Sequence, residues 1–225
     1  MTSTIRTVMS PALSPARRAF LLAGGALLLA HFSFTVFRAC FTGHPEDLLW
    51  ASHAGTFLGG VGAITRKTKF VSVALVLLLT PHAMWMLDVA GRLILGRYPL
   101  GLASYLETTD WWEKLQSANH VFTVPVMLAS AWILGGVERR AWWASGALLA
   151  VLTLASAVFC PAASNVNLAH HIWPGLDRTP FRFLELLPRG FYLASVLALN
   201  ILGNHWPVNA VLTCILPLRR EESLP

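Results

Sequence analysis

Charge is scarce in this sequence. Only 12% of its 225 residues are Asp, Glu, Lys or Arg, against 55% hydrophobic residues and a mean hydropathy of +0.58. A soluble domain carries roughly 25% charged residues, so this composition excludes an ordinary soluble enzyme and fits a polytopic membrane protein. Cysteine is nearly absent. Cys40, Cys160 and Cys214 are too few for a disulfide framework; a single Cys40–Cys160 bridge is conceivable, and three free thiols are the expectation. There is no GxSxG elbow, which removes an α/β-hydrolase from consideration. There is also no HxxxH or HExxH pair, so helix-borne metal ligation lacks its usual spacing. No internal repeat is present, and no polar stretch is long enough to form a soluble domain between the apolar runs.

What is present is a succession of those runs. A bilayer-crossing helix needs roughly 20 mostly apolar residues, and the sequence predicts six such spans: 19–41, 48–65, 70–95, 118–136, 141–160 and 191 to about 213. The fold class is therefore all-α, a single transmembrane domain over 19–218 with tails at 1–18 and 219–225. Pro207 should kink or end the last span. Arg17-Arg18 before an apolar run resembles a twin-arginine export signal. That run continues to about Phe37 without a small-residue cleavage site, so a retained first span is expected.

The net charge of +6 sits in short clusters between spans, which argues against nucleic acid as a partner. With a cytoplasmic amino terminus, ten Lys/Arg and three acids fall inside, against seven Lys/Arg and eight acids outside. The short loops around Arg66-Lys67 and Arg139-Arg140 are basic. This is the positive-inside pattern, and it predicts a multi-pass membrane protein with both termini cytoplasmic. Trp50, Trp111, Trp112, Trp142, Trp143 and Trp173 lie at span ends or in loops, where interfacial indoles belong. The glycines of "GTFLGGVGA", Gly55 to Ala63, predict close helix packing in the second span.

The polar residues converge under this topology. Ser52 and His53 open the second span, Asp88 lies near the outer end of the third, and Asn119 and His120 open the fourth. Beyond the fifth, "SNVNLAHHIWPGLD" carries Asn165, Asn167, His170, His171 and Asp177. Ionisable groups in a bilayer are costly and usually face a cavity or a partner. Their arrival at one face predicts a polar pocket open to the outer leaflet. Lipid ester carbonyls sit at matching depth, one or two helical turns in at roughly 1.5 Å per residue.

Two chemistries fit. In one, the Ser52 hydroxyl is activated by His120 as base and attacks an acyl carbonyl. Asn119, Asn165 or Asn167 would then stabilise the oxyanion, and Asp88 or His170 would orient His120. In the other, His53, His120, His170, His171 and Asp88 hold a metal. The spacing favours the first, and no metal or other cofactor is expected. Each residue also has a plainer role: Ser52 could bond its own helix, Asp88 could pair with Arg92 one turn on, and His82 could simply pack.

These residues resemble a known group. "NHVFTVP", with His120 followed by Pro125 at the start of a span, is similar to the histidine motif of the androgen-induced-gene type integral membrane hydrolases, which cleave fatty-acid ester lipids. By that resemblance His120 is the base, and Ser52, in "LLWASHAG", stands where the family carries a nucleophilic threonine. "HHIWPGLDR" resembles the loop before that family's last span. A broader bacterial set of six- or seven-span proteins shows a similar order of motifs. Here they read Trp50-Ala51-Ser52, Pro81 to Asp88 around Trp85, His120 to Pro125, and Asn165-Val166-Asn167. In related transmembrane acyltransferases the nucleophile is cysteine, so serine is a departure from both patterns. The resemblance covers roughly 48–187.

The expectation is thus a membrane hydrolase or acyltransferase acting on a lipid acyl ester. Membrane lipid would be its main partner, with membrane proteins or a second copy as further ones. The alternative is a non-catalytic membrane protein, a subunit of a larger complex or a small-molecule carrier, with a polar or metal-binding pocket.

Overall fold

Helix signals and helix ends agree closely along the first half of the chain. The structure is a computed structural model and describes residues 13–173 and 179–216. Helix α1 (Pro15–Thr42) opens on Ser14, whose hydroxyl accepts from the Arg17 N–H at 3.4 Å, with proline in its first turn. It closes on Gly43, which adopts the left-handed conformation (φ 74°) and donates its N–H to the Ala39 carbonyl. A 3₁₀ turn (Pro45–Leu49) leads into α2 (Ala51–Thr65), and a tight turn at Arg66 and Lys67 leads into α3 (Thr68–Leu95). After a 3₁₀ turn (Ser104–Glu107) come α4 (Trp111–Ser117), α5 (Asn119–Ile133) and α6 (Ala141–Phe159). Three further 3₁₀ segments (Ala162–Ser164, Val166–Leu168 and Pro180–Leu186) precede α7 (Arg189–Asn200) and α8 (Trp206–Ile215).

The chain is all-helical, with no strand among the described residues. Helices α1, α3 and α6 are each long and apolar enough to cross a membrane. The other runs depart from the sequence expectation in instructive ways. The second begins at Ala51 rather than at residue 48, because Leu48 and Leu49 lie in the 3₁₀ turn and Trp50 is extended (φ −57°, ψ 129°). The last is neither ended nor sharply broken by Pro207. The helix widens into a π turn over Ile201–His205, in which the Trp206 N–H reaches the Ile201 carbonyl. That extra residue per turn lets the chain continue past a proline that cannot donate. Cys40, Cys160 and Cys214 are all free thiols.

Helix α3 is the centre of the bundle, buried without interruption from Val71 to Leu78 and packed on α2, α5 and α6. The glycines of α2 set its register against the neighbours. A Cβ added at Gly62 would meet Val71, at Gly59 both Ala74 and Met127, and at Gly55 Leu78. On α2, 62, 59 and 55 therefore meet 71, 74 and 78 on α3, an antiparallel pair. Met127 of α5 meets the same Gly59, while His120 of α5 contacts His82 of α3. So α5 is antiparallel to α3 and parallel to α2. The end of the bundle where α2 and α5 begin is the site end.

Candidate functional site at the start of helices α2 and α5

Following that register toward the site end predicts what meets there. Two turns back from Gly59 on α2 is Ser52, and two turns back from Met127 on α5 is His120. One turn beyond Leu78 on α3 is His82. Ser52, His82 and His120 thus share one layer of the bundle. The ring centroids of His82 and His120 are 4.3 Å apart, and His53, the residue after Ser52 on α2, is buried.

His120 is held on every side. Its Nδ1 lies 3.0 Å from the Ser117 carbonyl. A carbonyl only accepts, so Nδ1 carries the hydrogen and Nε2 presents a lone pair. Trp85 stacks on its ring at a centroid distance of 4.7 Å and an interplanar angle of 21°. Trp85 Nε1 donates to the Tyr105 hydroxyl (3.1 Å), which is 2.8 Å from Ser117 Oγ. Burial pushes the Tyr105 phenol above its usual pKa, against the smaller opposite pull of Ser117 and Trp85. The phenol therefore stays protonated, accepts from Trp85, and shares with Ser117 a hydrogen bond in which either hydroxyl can donate. The imidazole is clamped by a carbonyl, an indole and a second imidazole.

The layer is rich in polar atoms without partners. Both ring nitrogens of His82, Nδ1 of His53, both amide atoms of Asn119 and the hydroxyl of Thr123 are buried and make no hydrogen bond among the described residues. Polar atoms buried in protein are almost always paired, and leaving one unpaired costs about 1–3 kcal/mol. Asn119 and Thr123 sit one turn apart on α5, both with no exposed surface. Ser52, half-buried, makes no hydrogen bond through its hydroxyl among the described residues; its carbonyl accepts from Thr56 Oγ1 at 2.7 Å. No direct Ser52–His120 hydrogen bond is present.

Other expected site residues have structural work. Asp88 accepts from the Leu100 and Gly101 N–H groups (2.7 and 3.2 Å) with one oxygen and from Ala103 N–H (2.8 Å) with the other. It pins the loop after α3 and neither orients His120 nor pairs with Arg92, which binds Glu107 at 2.7 Å. Asn165 staples its own loop: Oδ1 accepts from the His170 and His171 N–H groups, and Nδ2 donates to the His171 carbonyl. Its left-handed backbone (φ 40°) is one that asparagine tolerates. Asn167 Oδ1 accepts from the Ala51 N–H (2.9 Å), and its Nδ2 donates to the Leu49 carbonyl (2.7 Å) and Ser156 Oγ (3.3 Å). Asn167 therefore supplies from a distant loop the cap that Trp50 cannot give α2, and fixes the turn that carries Ser52. Of the three asparagines only Asn119 keeps a free amide. His170 is half-buried with its Nε2 unpaired, and its backbone belongs to the Asn165 staple. Asp177 lies outside the described residues. Among the described residues no group of three or more His, Cys, Asp or Glu is arranged to hold a metal ion.

Sequence reasoning underrated His53, His82, Trp85 and Tyr105. A signal existed for two of them: His82 and Trp85 are three apart on α3 and so share a face. Tyr105 and Gln116 reach the site only through tertiary contacts of the loop and of α4. Comparison of the chain with protein-family models, with curated proteins and with solved structures returns no match.

Proposed function

We propose that the protein is a membrane hydrolase or acyltransferase for a lipid acyl ester, with Ser52 as nucleophile and His120 as base. We further propose six spans, both termini cytoplasmic, and the site end facing outward in a bacterial inner membrane. The single observation that carries the reading is the tautomer of His120. Its Nδ1–H is committed to the Ser117 carbonyl, which leaves Nε2 as a basic lone pair in the layer that Ser52 shares. A general base must be held in this way to accept the hydroxyl proton.

The chemistry follows. Ser52 Oγ attacks the ester carbonyl carbon as its proton passes to His120 Nε2. The carbonyl electron pair moves to oxygen, where the buried amide of Asn119 donates to it. Collapse expels the alcohol, which takes the proton from His120. Water or a second alcohol then releases the acyl group by the reverse path. The motif resemblance around Ser52 and His120 supports the same roles, and the layer's position in the first turns of α2 and α5 suits the depth of ester carbonyls.

A fluorophosphonate probe on purified protein tests this. Wild-type protein should label on Ser52, and both Ser52→Ala and His120→Ala should lose labelling. Hydrolysis of p-nitrophenyl butyrate should fall on the order of 10⁴-fold in each. An unlabelled wild type, or labelling that survives Ser52→Ala, removes the assignment. Loss of a larger assembly in these variants, with no turnover in the wild type, would instead identify a structural subunit.

A further inference from the structure

Helix α4 carries a hydrogen-bond chain that ends on the residue after Ser52. Arg38 of α1 donates through Nη1 to Gln116 Oε1, and its Nη2 lies 3.6 Å from Glu113 Oε2. Gln116 Nε2 is 2.9 Å from His53 Nε2, in a contact buried at both residues. This chain admits one assignment of protons. A guanidinium has only donors, so the Gln116 atom facing it must be the amide oxygen. The atom facing His53 is then the NH₂, which only donates, so His53 Nε2 must accept. A neutral imidazole carries one hydrogen, and it must sit on Nδ1. That Nδ1 is buried and has no partner among the described residues.

The imidazoles of His120 and His53 are thus locked in complementary ways. An acceptor-only carbonyl makes His120 present a lone pair, and a donor-only amide makes His53 present an N–H. We infer that His53 Nδ1–H is an oxyanion donor for the acyl group on Ser52, acting with Asn119, and that Gln116 and Arg38 are positioning residues that set its tautomer. The inference rests on the Ser52–His120 reading above. In the step itself the Ser52 Oγ–carbon bond forms, the carbonyl π pair becomes the oxyanion that receives the His53 hydrogen bond, and the serine proton goes to His120. His53 neither gains nor loses a proton. Preorganised neutral donors of this kind act without reorganising as charge develops.

The tests separate this role from folding. His53→Phe keeps a ring without a donor and should slow fluorophosphonate labelling of Ser52 by about 10²–10³-fold. His53→Asn places an amide N–H near the position of Nδ1 and should recover most of that loss, whereas a packing role would favour Phe over Asn. ¹⁵N-histidine spectra of the wild type in lipid nanodiscs, with the His53 signal identified by its absence in His53→Phe, should show the hydrogen on Nδ1. Wild-type labelling rates in His53→Phe, no recovery in His53→Asn, or a hydrogen on Nε2 would each overturn the donor role while leaving Ser52 reactive. A wild type that takes no label sinks the underlying reading, and the donor role with it.

Discussion

The two ends of this bundle each set a serine beside an imidazole, and they treat the pair in opposite ways. At the far end, Ser145 Oγ lies 3.1 Å from His205 Nδ1, and both residues are buried. Several neighbours are settled as well: Asn209 accepts from the Trp142 N–H (2.9 Å) and donates to the Glu138 carbonyl (3.0 Å), while the Glu138 N–H donates to Ser72 (3.1 Å); Ser130 Oγ and Asn204 Oδ1 are the buried atoms there without a partner among the described residues. At the site end no bond joins Ser52 to His120, and His53, His82, Asn119 and Thr123 all leave buried polar atoms unpaired among the described residues. The hydrogen-bonded pair is the one that reads as scaffold. A satisfied buried pair stabilises the fold, whereas unpaired buried donors and acceptors cost it stability. Folding tolerates that cost where function needs it.

This contrast makes a prediction of sign. His205→Phe strands the Ser145 hydroxyl and removes its bond, and should lower stability by about 1–3 kcal/mol. His82→Phe keeps the ring contact with His120 but removes two unpaired nitrogens, and should raise stability by a comparable amount, about 1–3 kcal/mol. Thermal unfolding of both variants in one detergent reads the difference directly. Shifts in the same direction would erase the distinction between the two ends. A smaller effect sharpens it. Asn167→Ala uncaps α2 and should cost about 1–2 kcal/mol, the size of a lost helix cap. Because the freed turn carries Ser52, labelling of Ser52 should slow as well, whereas Asn165→Ala, which loosens only its own loop, should leave that rate nearly unchanged.

Much of this arrangement was legible from one-dimensional features. The long apolar runs became α1, α3 and α6, and the glycines of α2 did mark close packing. Ser52 and His120 were singled out because each opens an apolar run, at the level where α2 and α5 both begin. What the sequence could not reveal is how each polar side chain spends its bonds. Asp88, Asn165 and Asn167 looked chemical because they are polar beside apolar runs, yet they hold backbone groups 5 to 118 residues away. Gln116 looked like nothing in particular. Its meaning depends on lying between a guanidinium from α1 and an imidazole from α2, a three-body fact that no local pattern encodes. The π turn was equally hidden, since Pro207 announces a disturbance without saying whether the helix will break or widen.

The smallest test concerns the mouth of the site end, where Asp47 sits in the 3₁₀ turn before α2. Its carboxylate makes no hydrogen bond or ion pair among the described residues. Burial raises its pKa, and the more distant Arg38 only partly offsets this. A carboxyl with a raised folded pKa holds its proton longer in the folded state than in the unfolded one. Below the unfolded value of 3.8 both states are protonated and the group is neutral toward stability. As pH rises through that value and then through the higher folded one, the unfolded chain releases its proton first, so the folded state loses ground until both are ionised. Asp47→Asn removes this loss. The variant should unfold slightly above wild type at pH 7 and together with it near pH 3. A lower unfolding temperature at pH 7 would mean that the Asp47 charge is favourably partnered, and that the unsatisfied character of the site end stops short of its mouth.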